Sequence, residues 1–370
     1  MEKYSSLNVF SDDKKIGTLA LYRNYLCAFE YSDEWLSAGF SLNPYSLPLR
    51  RQVYIPKFDP FDGLFGVFND SLPDGWGKLL VDRMLQAKGM QPENIGVLER
   101  LAIVGSAGMG IMEYRPEYNL MSSAQIRDYD GYASECRKLL ETNYTDDLDT
   151  LFKLGGSSGG ARPKIMTEID GEGWIIKFPS SFDSPDIGLM EYEYSRCAAK
   201  CGIEIPEVRL FDSNICGGYF GCRRFDRSRN RRIHMVSASG LLEVSHRVPA
   251  LDYASLNKLT LNLTKDYAEV WKMFRLMCFN IFAHNRDDHS NNFSFLFADG
   301  KWKLSPAYDL THSSSIGGEH ATSVNGNGRN PGLKEILEIA KKLSLPLHEA
   351  EEIAEMIRDI VCSDLKKYLQ

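Results

Sequence analysis

Apolar residues at Val270, Met273, Phe274, Met277, Cys278, Ile281 and Phe282 recur at i, i+3, i+4, i+7, i+8, i+11 and i+12. That spacing predicts a helix over Ala268 to His284 with one buried face. His284 would then close it as a cap favoured by the helix dipole. Upstream the pattern is different. Val9-Phe10 and the run Ile16 to Leu21 flank a charged turn, Ser11 to Lys15, and read as a hairpin, with Leu26 to Tyr31 as a further strand. Asp74 stands before a helix carrying Leu79, Leu80, Met84 and Leu85, where its carboxylate is a plausible N-cap. Small residues Gly105 to Gly110 lead into a strand, Ile111 to Tyr114. Ile165-Met166-Thr167 and Trp174 to Phe178 pair across the turn Asp170 to Gly173. Beyond about residue 250 the pattern is mostly helical, broken by the strand Phe293 to Phe297, the turn Asp299-Gly300 and a strand-like segment ending at Asp309. Ser313 to Gly318 and Asn325 to Gly328 read as loops.

These periods divide the chain into a mixed α/β region over 1–115, a polar helical connection over 116–149, and a larger unit over 150–370. With 370 residues, two domains can each bury a core. A hydrophobic fraction of 43% with 25% charged residues is that of an ordinary globular protein. The net charge of −7 argues against broad nonspecific nucleic-acid binding. The charged run Arg223 to Arg232 is most simply a solvated loop. Eight cysteines lie without CxxC pairs, and the four-residue step from Cys197 to Cys201 has no His or second Cys pair at zinc-site spacing. No signal peptide opens the chain, and no apolar run approaches the roughly 18 residues of a membrane span. The expectation is a cytoplasmic protein with reduced thiols.

Chemistry concentrates at Asp287-Asp288-His289-Ser290-Asn291-Asn292, with Tyr308-Asp309 following. An Asp, an Asn five residues later and a second Asp on the next segment form the set phosphoryl transfer uses. The first Asp takes or orients the attacking hydroxyl, and hard oxygen ligands on Asn and Asp hold Mg²⁺ against the triphosphate. A polar loop with an Asx turn is the bland alternative. His289 is either a general base or a group that orients the loop backbone.

The glycine-rich segment Gly155-Gly156-Ser157-Ser158-Gly159-Gly160-Ala161-Arg162-Pro163-Lys164 lets backbone amides approach phosphate oxygens. It is neither a Walker A motif nor GxGxxG, and taken alone it reads more simply as a flexible linker; its place just before a strand pair favours the phosphate reading. Lys177, inside the apolar strand Ile175 to Phe178, needs an anionic partner if buried, and nucleotide phosphates together with Glu193 or Glu191 would supply one.

In this order the motifs resemble those of the HipA family of bacterial toxin serine/threonine kinases, along nearly the whole chain. Phe68 to Gly75 is similar to the signature of the family's small N-terminal subdomain. Gly159 to Lys164 resembles its P-loop-like segment, Ile176-Lys177-Phe178 the strand bearing the ATP-contacting Lys, and Glu191 to Tyr194 the helix bearing its Glu partner. Arg223-Arg224-Phe225-Asp226-Arg227 resembles the hinge that contacts adenine through its backbone. Asp287 to Ser294 and Tyr308-Asp309 resemble the catalytic loop and metal Asp, with the family's Asp-x-His-x-x-Asn spacing. Arg162-Pro163 departs from the Gln-Glu often found there, and the proline removes a backbone donor.

The resemblance implies an α+β, two-lobed protein-kinase-like fold, with an N-terminal α/β lobe, a mainly α-helical C-terminal lobe, and ATP-Mg²⁺ between them. It implies Asp287 as base, Asn292 and Asp309 as Mg²⁺ ligands, and Lys177 as phosphate contact. Gly156, Ser157, Ser158, Gly159, Gly160, Ala161, Lys164, Glu193, Arg223, Arg224 and Phe225 would complete the nucleotide site. Autophosphorylation would fall on Ser157 or Ser158 and, by charge, draw the glycine-rich loop away from nucleotide. The partners implied are a separate DNA-binding HipB-like antitoxin, so that DNA contact is indirect, and a protein substrate such as an aminoacyl-tRNA synthetase. A small-molecule or lipid kinase and a catalytically silent binding module are the rival readings.

Overall fold

The computed structural model describes residues 3–118, 128–142, 144–145, 147–156, 159–228, 231–315 and 317–369. The chain forms two compact units. The first comprises Met1–Gly188, Leu210–Val236 and Gly240–Glu243, and the second Leu189–Arg209, Ser237–Ser239 and Val244–Gln370.

In the first unit an antiparallel five-stranded sheet runs in the spatial order Val53–Tyr54, Leu26–Tyr31, Lys14–Tyr22, Ser6–Ser11, Glu113–Arg115. Its first hairpin is the one the alternation predicts. Leu7, Val9, Ile16 and Leu19 are buried, while Ser6 and Lys14 face water. The strand expected at Ile111 to Tyr114 is displaced to Glu113–Arg115, where it pairs with Ser6–Ser11.

A second hairpin joins Lys164–Ile169 to Glu172–Lys177, and the latter strand also pairs with Tyr219–Arg223. Asp170 at φ +54° and Gly171 at φ +75° form its turn. Two successive left-handed residues match the twist of the strands they join, which is why Asp-Gly is favoured there. Helices Gly75–Ala87, Tyr129–Thr142 and Leu148–Gly155 bury Trp76, Leu80, Tyr132, Cys136 and Phe152 in one core with Ile165, Ile176 and Phe178 of this hairpin. Each large apolar side chain removed from water there stabilises by about 1.5–3 kcal/mol.

The second unit centres on the helix Tyr267–Phe282, which packs against the helices Tyr253–Thr264 and Leu347–Asp364. Val270, Met273, Phe274, Met277 and Cys278 are fully buried, as the 3.6-residue period requires. Asp266 caps the helix by accepting from the Ala268 amide at 2.8 Å. The C-terminus falls before His284, which takes the left-handed conformation at φ +52°. His284 N–H donates to Ile281 O (3.3 Å) and Asn285 N–H to Asn280 O (3.0 Å). This is a Schellman turn with His where glycine is usual. His284 is therefore not a cationic dipole cap. Burial, followed by the charge of Arg286, lowers its pKa and favours the neutral ring.

Candidate active site

The Schellman turn reverses the chain and starts the polar loop Asn285 to Asn292. Its two adjacent aspartates have opposite environments. Asp287 keeps 63% of its side chain exposed, whereas that of Asp288 is at 0%. The Asp288 carboxylate accepts from Tyr253 Oη (2.8 Å), sits 2.9 Å from His320 Nδ1, and accepts from the Thr322 amide (3.2 Å). Thr322 Oγ1 also donates to the Asp288 carbonyl at 2.6 Å. Asp288 thus fastens the loop to the protein interior and presents Asp287 outward.

The amide of Asn292 donates to the Asp287 carbonyl at 2.7 Å. Only the NH₂ side of the amide can make that bond, so Oδ1 is the atom directed elsewhere. Asn292 closes a single 3-10 turn, Ser290–Asn292, its own amide bonding to the His289 carbonyl at 2.8 Å. His289 Nε2 lies 3.9 Å from Asp287 Oδ1, too far for a hydrogen bond, and its ring is 5.4 Å from that of His246. His289 is therefore beside Asp287 without holding it.

Asp309 is tied to the same loop by its neighbour. Tyr308 Oη donates to the Asn291 carbonyl at 2.5 Å and lies 2.6 Å from Ser294 Oγ. The strand-like segment expected up to Asp309 ends at Leu304, because Pro306 offers no amide for a ladder. Asp309 itself is left-handed, at φ +56°. Asp tolerates that region better than most residues, but a non-glycine held there is constrained by its surroundings. Leu310, at 2% exposure, anchors the far side.

In the first unit, Gly160 sits at φ +85°, and its amide donates to the Asp74 carboxylate. The Trp76 amide in turn donates to Gly160 O at 3.0 Å. Asp74 makes no side-chain bond to its own helix. The expected N-cap is thus a clasp on the glycine-rich loop instead. A Cβ on Gly75, itself at φ +43°, would stand 2.4 Å from Gly160 O, so glycine is required at that approach. Lys164, only 7% exposed, donates from Nζ to Gly159 O at 2.5 Å. Arg162 pairs with Asp183 at 3.2 Å, so the unusual Arg162-Pro163 fixes the loop's far end; Pro163 O accepts from the Phe178 amide at 2.8 Å. Lys177 ends its strand opposite Lys164, with Nζ 5.6 Å from the Phe220 ring centroid. Gly156 follows the end of the helix Leu148–Gly155; Ser157 and Ser158 lie outside the described residues.

Two side chains expected at the nucleotide have protein partners. Glu193 gives its carboxylate to Lys367 Nζ (2.7 Å) and Tyr368 Oη (2.6 Å), and Glu191, at 2% exposure, is the buried acid of that helix. Arg224 is 8% exposed and forked onto Asp226, through Nε at 2.9 Å and Nη2 at 2.8 Å. Its amide is taken by Gly173 O at 2.8 Å. Arg227 Nη1 (2.6 Å) and the Gly110 amide (2.8 Å) complete the shell around Asp226, whose exposure is 0%. The Arg224 side chain is a structural cation. Arg223 is exposed and 3.9 Å from Glu172, and Phe225 is half-buried beside it.

Sequence reasoning passed over Asp288, Tyr308 and the clasp made by Asp74. Spacing to His289 and Asn292 singles out Asp287, but it says nothing of the anchoring role of Asp288. Tyr308 was visible only as the residue before Asp309.

A family model described as the HipA-like C-terminal domain matches residues 156–365, and one described as the HipA N-terminal domain matches residues 7–115. A protein of Sinorhizobium fredii (strain NBRC 101917 / NGR234), provisionally named kinase Y4mE, is 26% identical over 338 residues, which are 82% of this chain and 76% of that protein. Among solved structures, HipA of Shewanella oneidensis MR-1, determined with HipB and operator DNA, superposes with a TM-score of 0.71 at 17% identity, over 98% of this chain and 90% of its own. That likeness establishes the fold, the mixed helix-and-sheet kinase-like architecture. The C-terminal model alone spans more than half of the 370 residues, and the chain belongs to the HipA family.

Proposed function

We propose that the protein is an ATP- and Mg²⁺-dependent serine/threonine protein kinase, the toxin of a HipA–HipB-type toxin–antitoxin pair. The observation that carries this reading is the oxygen set of the second unit. Asp287 is exposed on a loop fastened by Asp288, Asn292 bonds that loop through Nδ2 and so keeps Oδ1 as its ligand atom, and Asp309 follows Tyr308, whose hydroxyl is bonded to the loop.

Among the described residues no three His, Cys, Asp or Glu gather as a metal site. A Mg²⁺ carried by a triphosphate does not need one, because one carboxylate and one amide oxygen suffice beside phosphates and water. Asn292 and Asp309 fit as that pair, and the ion would neutralise charge building on the transferred group. In the transfer a serine or threonine oxygen bonds to the γ-phosphorus, the bond to the bridging oxygen breaks, and Asp287 takes or orients the hydroxyl proton. Lys177 and the loop Gly156 to Lys164 would bind the phosphates. Autophosphorylation at Ser157 or Ser158 belongs to the same reading.

The HipB of the Shewanella complex supports a HipB-like antitoxin as partner, with DNA contacted indirectly. An aminoacyl-tRNA synthetase or another translation component is the substrate class we infer. No helix among the described residues is long and apolar enough to cross a membrane, and all eight cysteines are unpaired. Free thiols accord with a cytoplasmic protein.

Incubation of the full chain with radiolabelled ATP and Mg²⁺, followed by peptide mapping and by titration of ATP binding, tests the proposal. Phosphoserine or phosphothreonine should form, and Asp287→Asn should slow transfer by about 10²–10⁴-fold while ATP still binds. Binding without transfer in the unsubstituted chain would identify a silent module. Transfer only to lipid or metabolite acceptors would identify the other kinase class.

A further inference from the structure

Arg286, next to Asp287, is half-buried, and its Nε is buried with no hydrogen-bond partner. No carboxylate pairs with it among the described residues. Of the two acids that follow it, Asp287 forms no ion pair with it, and Asp288 is engaged with Tyr253, His320 and Thr322. The other groups near it are basic. The rings of His284 and His312 are 6.3 Å apart, and the charge of Arg286 depresses the pKa of both, after burial. His320 adds to the effect on His284. A guanidinium with no carboxylate paired to it, beside two imidazoles, forms a site suited to an anion.

The backbone says which anion can reach it. Asn285 and Ser313 form a parallel bridge, and Ser313 N–H donates to His284 O at 3.0 Å. Because side chains alternate across a bridge, residues 284, 286, 312 and 314 share the face opposite to Asn285 and Ser313. The His284–His312 ring contact is the first such pair. By the same register Arg286 falls opposite Ser314, which is exposed and accessible to a modifying enzyme. Its neighbours are less available. Ser313 Oγ accepts from the Ser315 amide at 3.2 Å, and Ser315 Oγ donates to Glu319 O at 2.5 Å.

We propose that His284, Arg286 and His312 are a receptor for a phosphate monoester, and that its occupant is phosphorylated Ser314 of the same chain. In forming it, Ser314 Oγ bonds to the γ-phosphorus of a nucleoside triphosphate. The bond to the β,γ-bridging oxygen breaks, nucleoside diphosphate leaves, and the hydroxyl proton passes to a carboxylate base or water. The bound phosphate would accept from the guanidinium and both rings, locking the segment after Asp309 onto the loop before Asp287. The receptor does not depend on this chain being its own kinase.

The test uses full-length protein with phosphoserine installed at position 314 during synthesis, compared with unmodified protein by thermal unfolding and by imidazole NMR. Phosphoserine should raise the melting temperature and shift the His284 and His312 ring signals, and Arg286→Gln should abolish both effects. Arg286→Lys, which keeps a point charge without the fork, should retain part of them and serves if the Gln variant does not fold. Equal effects of phosphoserine in the unsubstituted and Arg286→Gln proteins, or none in either, would overturn the receptor. Inorganic phosphate at matched ionic strength separates the sources. Arg286-dependent ring shifts with free phosphate, but none from phosphoserine 314, would overturn Ser314 as the occupant and assign the site to an external phosphate.

Discussion

Asp287 and Asp288 differ by one position and by everything that surrounds them. Replacing Asp288 with Asn leaves Tyr253, His320 and Thr322 with a poorer acceptor in a site closed to water. Charged hydrogen bonds contribute about 1.5–3 kcal/mol each, so Asp288→Asn should lower unfolding free energy by several kcal/mol in a denaturant titration. Asp287→Asn, at an exposed side chain, should move stability by under about 0.5 kcal/mol while phosphoryl transfer collapses. A chain with the two outcomes interchanged would reverse the assignment of base and anchor. The sequence singled out Asp287 by its spacing to Asn292 but held no sign that Asp288 anchors the loop. Burial at this point is decided by Tyr253 and Thr322, which lie 35 and 34 residues away. Tyr308 escaped notice for the same reason, since its hydroxyl serves carbonyl and hydroxyl partners on another segment. Tyr308→Phe should cost about 1 kcal/mol of stability and a larger share of activity, read as a fall in kcat at unchanged ATP affinity.

At the scale of elements, periodicity located what was local. The buried stripe of Tyr267–Phe282 and the two Asp-Gly hairpins are set by neighbours in the chain, and they lie within a few residues of expectation. What failed was the use of polar side chains at element ends. Asp74 had the sequence of an N-cap, yet its carboxylate went to Gly160, 86 residues on. Arg224 lies in a charged run that reads as a solvated loop, yet its side chain closes a buried ion cluster with Asp226 and Arg227 that also grips Gly108 and Gly110. Two consequences follow at this scale. Asp74→Ala frees the Gly160 amide and should weaken nucleotide binding, measured by titration, with a stability loss of only about 1–2 kcal/mol. Asp226→Ala strands two arginines in a dry site and should destabilise the first unit by about 3–5 kcal/mol, visible as an early unfolding transition.

Across the whole molecule the histidines set how stability depends on acid. His234 is buried at 1% exposure, lies 2.8 Å from Leu42 O through Nε2, and has its pKa pushed down by burial to about 4. His284 and His312 are lowered in the same direction, burial again first and Arg286 after it. The unfolded chain takes up a proton at each near pH 6.5, where the folded chain does not. Between those values the unfolded state binds more protons, so unfolding free energy falls as pH drops. For His234 the full descent from about 6.5 to 4 amounts to about 3 kcal/mol. Glu243 opposes it, because burial raises its pKa and its proton binding favours the folded state. Depressed carboxylates add to the loss only lower down. The hydrogen bond from Ser213, first among the causes, holds Asp130 at about 2, and Asp226 is likewise lowered, its arginines outweighing burial. His234 belongs to the first unit and His284 and His312 to the second, so urea titrations at pH 7.5 and 5 should be followed by probes in each. Both transitions should move to lower urea at pH 5, and His234→Gln should flatten the dependence in the first unit while leaving that of the second intact. A first unit equally sensitive to acid after that substitution would mean that its stability is governed by the carboxylates instead.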